Sequence, residues 1–231
     1  MSLKLWEASK KTKKNSELFA FENFISKKFK KNFENNYDRI HNWSVKNYSQ
    51  FWDVFWDFSK IKGFKSKTKI KRSKIFYKNI FLPNSKLNFG ENLLSKNNHD
   101  KAATFISENG YKETRNWFQL NKNVNKISIF LKKIKIKKKD RVVAYMPNLI
   151  ETVEAFIATV SLGAIWSSCS PDFGAKGVIE RFSQISPKVL FVTNEYFYNG
   201  KRIDILERIP EIIKKIPSLK YVVVSEYPGQ R

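Results

Sequence analysis

The apolar positions of the chain change period along its length, and the period assigns the elements. Between Asn15 and Phe58 they recur every three or four residues. Leu18, Phe21, Ile25 and Phe29 follow a capping Asn15 or Ser16; Tyr37, Ile40 and Trp43 continue the spacing, and Trp52, Phe55 and Trp56 close it. Such spacing predicts amphipathic helices. Residues 60 to 80 carry no periodicity and read as an exposed linker. Phe81 to Leu94 has Pro83 and Asn84 as turn formers and offers Leu87, Phe89, Leu93 and Leu94 for burial. Ala102 to Ser107 predicts a strand, and Asn109-Gly110 predicts a tight hairpin turn into Tyr111 to Thr114. Thr114 then opens the longest helix, with Trp117, Leu120, Val124, Ile127 and Leu131 on one face.

From Arg141 onward short continuous apolar runs alternate with helical spacing. Arg141 to Tyr145, Ala164 to Cys169, Val189 to Val192 and Tyr221 to Val224 are the runs, each too short for a helix and rich in β-branched residues. Between them, Asn148 with Glu151 forms a capping-box-like start for a helix carrying Ile150, Val153, Ile157 and Val160 and ending at Gly163. Val178, Ile179, Phe182 and Ile185 predict a second helix that ends before Pro187, and Ile203 to Ile216 a third with a break at Pro210. Uniformly apolar strands separated by helices of about three turns require a parallel sheet covered on both faces. The fold class is therefore α/β, with an aromatic helical extension in front.

Charge divides the chain along another line. Of its net charge of +23, residues 1–139 hold +22 and residues 140–231 hold +1. Lys60 to Lys78 contains nine basic residues and no acid. The bland reading is a solvated lysine face, which is tolerated at little cost, with no nucleic-acid partner. The alternative is a basic module for nucleic acid or an anionic membrane, using Lys60 to Lys78 and stacking bases on the N-terminal aromatics. One cysteine, Cys169, excludes an internal disulfide and suits a reducing compartment. No apolar run approaches the roughly 20 residues of a membrane helix, and the first residues lack the apolar segment of a secretory signal. A cytoplasmic location is expected.

Candidate chemistry is sparse. His41 and His99 are far apart in sequence and have no cysteine or carboxylate at ligand spacing, so no metal site is expected. Cys169 has no assigned base and reads as a small buried residue at a strand end. Ser167 to Phe173 falls at the carboxyl end of a parallel strand, where open α/β sheets bind ligands, and is placed to line a pocket. The eight glycines form neither a P-loop nor G-x-G-x-x-G. No catalytic residue is assigned.

Ala158 to Gly174 (ATVSLGAIWSSCSPDFG), with Gly177 to Phe182 (GVIERF) and Pro187 to Val192 (PKVLFV), closely resembles the acetoacetyl-CoA synthetases, a branch of the adenylate-forming acyl-CoA ligases. Phe81 to Leu94 is similar to the segment by which these enzymes enter their main domain, Tyr198 to Arg202 fits as well, and the resemblance runs from Leu5-Trp6 to Val224. It implies an N-terminal helical extension and linker over 1–100, and over 101–231 the first part of an AMP-dependent synthetase/ligase domain. The family's phosphate loop, hinge and catalytic lysine come later than the last residue here. The chain is thus expected to be the N-terminal portion of an acetoacetate–CoA ligase, inactive alone, its C-terminal portion missing. In that family ATP and acetoacetate give an acyl-adenylate and diphosphate, and the thiol of coenzyme A then displaces AMP; ATP, coenzyme A and Mg2+ are the implied substrates and ion. Arginines in the equivalent turn of acetyl-CoA synthetases contact coenzyme A phosphates, which makes Lys201 and Arg202 the implied coenzyme A-binding residues, with Asn199 standing where a further arginine is expected. The family also places a glycine where Lys139 precedes Asp140-Arg141, implying a positive φ that lysine tolerates poorly.

Overall fold

A computed structural model describes residues 5–229. Its contacts divide the chain into two compact units, with the division falling between Leu87 and Asn88 in the sequence.

The first unit begins with four helices, α1 Lys10–Lys14, α2 Glu17–Phe29, α3 Tyr37–Lys46 and α4 Tyr48–Phe58. Ser16 caps α2 by accepting from the Phe19 amide, and Asn36 caps α3 by accepting from the amides of Asp38 and Arg39. Phe21, Ile25, Phe33, Ile40, Trp43 and Val54 form the buried core. Aromatic rings interlock around it: Phe21 meets Phe51, Phe55 and Phe58 edge-on at 5.1–5.8 Å, and Trp43 packs on Phe29 and Phe33. Leu18, Tyr37 and Trp52, which the spacing assigns to the apolar faces, remain exposed.

Residues 60–80 are not a bare linker. β1 Gly63–Phe64 pairs with β4 Lys86–Leu87, and β2 Ile70–Lys71 pairs with β3 Ile80–Phe81, both antiparallel. Lys65 anchors the segment to α4 through Asp53 and Asp57 at 2.7 and 2.6 Å. These two-residue ladders are too short to show a period in sequence, which is why the stretch reads as linker.

The second unit opens with α5 Phe89–Leu93, the hairpin β5 Lys101–Ile106 and β6 Lys112–Asn116, and the long helix α6 Trp117–Lys133. Leu93 and Leu94 pack against the core, whereas Leu87 and Phe89 stay exposed. Asn116, not Thr114, caps α6, in a capping box with Gln119. There follow β7 Arg141–Tyr145, α7 Ile150–Ser161, β8 Ile165–Cys169, α8 Ala175–Phe182 and β9 Val189–Thr193. The chain then makes the hairpin β10 Glu195–Tyr198 and β11 Lys201–Asp204, and continues into α9 Ile209–Lys215 and β12 Tyr221–Ser225.

β12, β9, β7 and β8 lie in that order in one parallel sheet. The inner strands β7 and β9 are buried almost throughout, and the edge strands expose Ile165 and Val224. β7 connects to β8 on one side, whereas β8 crosses back to β9 on the other. Right-handed crossovers in opposite directions place α7 on one face and α8 and α9 on the other, and α6 packs on α7 while α8 packs on α9. Three local readings change. No side chain caps α7, whose N-cap is Leu149, so Asn148 and Glu151 make no capping box. Val153 of α7 is exposed, and the buried face runs instead through Ile150, Glu154, Ala155, Ile157 and Ala158. The helix predicted over Ile203 to Ile216 is a strand, a 3-10 turn and then α9, with Pro210 in the first turn, where its missing N–H leaves nothing unpaired.

Candidate functional site

The sheet reverses its winding between β7 and β9, and in open α/β sheets the carboxyl ends of the strands at such a point form a crevice. A pocket of about 280 Å³ opens there. Met146, Pro147 and Asn148 leave the end of β7 on one side; Ser168 to Asp172 leave β8 on another; Tyr196, Phe197 and Tyr198 of β10 close the third. Ser168 to Asp172, within the segment Ser167 to Phe173 singled out by its place in the sequence, supply the second wall.

Local hydrogen bonds shape each wall. Thr152 donates its hydroxyl to Pro147 O at 2.8 Å, turning the chain from β7 into α7. Ser170 donates to the Asp172 carboxylate at 2.7 Å and the Phe173 amide donates to Ser170 O at 3.1 Å, closing a tight turn before α8. The β10–β11 hairpin is rooted on Asn194. Its N–H donates to Ser225 O at 3.2 Å, its carbonyl accepts from Ile205 N at 2.9 Å, and its side chain accepts from Tyr227 N at 2.7 Å. One residue thereby ties the hairpin to the edge strand β12.

At the hairpin tip Asn199 and Gly200 both have positive φ, 50° and 70°, which two-residue hairpins of this type require. The register sets Lys201 opposite Tyr198 and Arg202 opposite Phe197. Lys201 therefore shares a face with Tyr198 and Tyr196, and its side chain is exposed. Arg202 lies on the other face, paired through Nε with the buried carboxylate of Glu195. The structure brings both cations to the strand beside the pocket wall, and they point to opposite sides of it.

Other sequence candidates are not assembled. Cys169 is buried at the end of β8, and burial pushes its thiol up, so it forms wall and offers no thiolate. His41 stacks on Tyr37, and His99 approaches Asn116 and Phe118, in different parts of the chain. Among the described residues no three His, Cys, Asp or Glu side chains converge as a metal site, and of the pocket-lining residues only Asp172 carries a carboxylate. These residues do not build a magnesium site of their own.

Sequence reasoning missed Asn148, Thr152 and the three aromatic residues of β10 as pocket walls. Two signals pointed to them: the polar residue just after a buried strand, and the Asn199-Gly200 pair that makes residues 195–198 a hairpin arm. The N-terminal aromatics, candidates for base stacking, are packed mainly on one another. Lys65 and Lys69 of the basic run are ion-paired with Asp53 and Asp57.

Comparison with known proteins bears on the whole of this arrangement. The model of the family described as AMP-binding enzyme matches residues 94–230. The acetoacetyl-CoA synthetase of Macaca fascicularis is 37% identical over 231 residues, covering 98% of this chain and 34% of its own length. The acetoacetyl-coenzyme A synthetase of Rhizobium meliloti is 35% identical, covering 95% and 34%. The structure of an acetoacetyl-CoA synthetase from Streptomyces lividans superposes with a TM-score of 0.90 at 25% identity, over 100% of this chain and 36% of that one. The chain spans about a third of the length of these relatives. With the family model running from the end of α5 through β12 and the relatives matching the extension as well, the chain belongs to the AMP-binding enzyme family.

Proposed function

We propose that this chain supplies the N-terminal portion of an acetoacetate–CoA ligase. The relatives that match it along nearly its whole length are acetoacetyl-CoA synthetases, and the reaction assigned is theirs by name. Acetoacetate attacks the α-phosphate of ATP, giving the acyl-adenylate and diphosphate. The thiol of coenzyme A then attacks the acyl carbon, and AMP leaves as the thioester forms. The division into 1–100 and 101–231, a cytoplasmic place of work and the use of magnesium with the nucleotide belong to the same proposal; no residue of this chain is assigned to the ion. Among the described residues no helix is long and apolar enough to cross a membrane.

The observation that carries the reading is the hairpin beside the pocket. Lys201 and Arg202 stand on β11 next to the wall formed by β10, at the switch point of the sheet. A coenzyme A molecule whose thin pantetheine arm enters between Ser168 to Asp172 and Tyr196 to Tyr198 would meet Lys201 with one phosphate group on the Tyr198 face and reach Arg202 with another only around the edge of the hairpin. Lys201 serves as a point charge, and Arg202 is held in place by Glu195. The pocket walls orient the arm; no residue here acts as acid, base or nucleophile.

The test uses the native-length protein. Acetoacetate-dependent ATP–diphosphate exchange and CoA-dependent AMP release are expected, whereas this chain alone gives neither. Lys201→Ala and Arg202→Ala should each raise KM for CoA about tenfold, the worth of a charge-assisted hydrogen bond, with exchange retained. A native-length protein with no acetoacetate-dependent exchange is not this ligase, and an unchanged KM removes the substituted residue from the site.

A further inference from the structure

The wall carrying Asp172 is held from behind by a polar clamp whose two members do not line the pocket. Tyr145, at the end of β7, is fully buried. Its hydroxyl lies 3.0 Å from Pro171 O and 2.5 Å from Phe173 O, two carbonyls of the turn that leads from β8 to α8. Arg208, half-buried in the 3-10 turn before α9, donates from Nη1 to the Tyr145 hydroxyl at 2.7 Å and to Pro171 O at 3.1 Å. A hydroxyl has one proton to give. Tyr145 can therefore satisfy one carbonyl, and the guanidinium satisfies the other while holding the hydroxyl in line. Burial raises the Tyr145 pKa further, which keeps it a donor. On the same turn Arg181 lies over the Phe173 ring at 4.4 Å, and the turn's other side faces the pocket through Ser170, Pro171 and Asp172.

We propose that Arg208, acting through Tyr145, is a positioning residue that fixes the Ser170–Phe173 turn and so sets the width of the pocket. That the pocket takes coenzyme A rests on the ligase reading; the clamp does not. Without the hydroxyl, Phe173 O keeps only a long 3.5 Å contact to Arg208 Nη1. Without the guanidinium, the one proton of Tyr145 is left to serve both Pro171 O and Phe173 O. In either case a turn that relaxes to find another partner moves the wall. Small displacements of a positioning wall cost reactivity far more than they cost stability.

Three variants of the native-length protein separate the possibilities. Tyr145→Phe removes the hydroxyl alone, Arg208→Met removes the donor and keeps an apolar stem, and Arg208→Lys returns the charge with one donor head. Amide hydrogen exchange at Asp172 and Phe173 is expected to quicken about tenfold in the first two, with β7 and β9 protected as in the parent. KM for CoA should rise about tenfold, with acetoacetate-dependent ATP–diphosphate exchange within about twofold of the parent, and Arg208→Lys should recover part of both losses. Unchanged amide exchange at 172–173, or a uniform loss of protection across the sheet, overturns the clamp. Quicker exchange with an unchanged KM overturns its link to the pocket. A parent with no acetoacetate-dependent activity refutes the ligase reading instead, and the amide measurement still decides the clamp.

Discussion

Glu154 is a charged residue type on the buried face of a helix, and its surroundings decide its charge. It is 3% exposed on α7. Asn123 of α6 donates to it at 2.8 Å, and Arg115 of β6 stands 3.6 Å away, shared with Glu113 and with Glu151 at 3.1 Å. Three carboxylates thus face one guanidinium. Burial first, and the neighbouring carboxylates with it, push the Glu154 pKa from 4.5 up to about 7. Because the folded value exceeds the unfolded one, the stability tied to this proton is complete below about pH 4.5 and is lost as pH rises through about 7. The difference is on the order of 3 kcal/mol. In urea unfolding, Glu154→Gln should match the parent near pH 4.5 and exceed it by that amount near pH 8.5. A variant whose stability tracks the parent across this range would mean that Glu154 is ionised in the fold. Sequence spacing passed over this residue because its apolar face was drawn through Val153, which is exposed; only the packing of α6 on α7 shows which flank is covered.

At the scale of elements, the turn from α6 into β7 was legible as a problem before it was legible as a shape. Lys139 stands where a glycine suits the family, and its φ is 71°, in the left-handed region. The conformation is enforced from both sides: the Lys139 amide donates to Gly163 O at 3.0 Å, and Asp140 accepts from the Lys137 amide and pairs with Lys188 at 2.7 Å. Lys139→Gly should raise stability by up to about 1 kcal/mol in thermal unfolding, since left-handed strain in lysine exceeds the extra chain entropy of glycine. A loss of stability would show that the lysine stem contributes more than the strain removes. The strands β7, β8 and β9 were readable because an unbroken apolar run has one stable home, the interior of a parallel sheet. β11 was not. Lys201 to Asp204 is polar and short, and what makes it a strand is its pairing with β10. The ladders at 63–64 and 70–71 were missed for the same reason.

Over the whole molecule the charge asymmetry invites the reading as a basic binding module, and the structure narrows what such a module would use. Rings that would stack bases are mostly packed among themselves in the first unit, and Lys65 and Lys69 are paired with Asp53 and Asp57. Mixed-sequence DNA is therefore expected to bind this chain only at low ionic strength and to be released by about 150 mM salt, as screened lysines allow. Tight binding that persists at that salt would restore the module reading.

The sequence by itself determined the α/β class, the order of the buried strands along the chain, the aromatic helices ahead of them and the wall at Ser167 to Phe173. Each of these follows from short-range pattern: apolar period, turn residues and breakers act within about ten positions and leave their mark in the string. The tertiary structure alone decided which strands are neighbours, that Glu154 is buried among carboxylates, and that Arg208 reaches Tyr145 from 63 positions away. Those facts depend on contacts between segments distant in the chain, and neither partner's sequence carries a sign of the other.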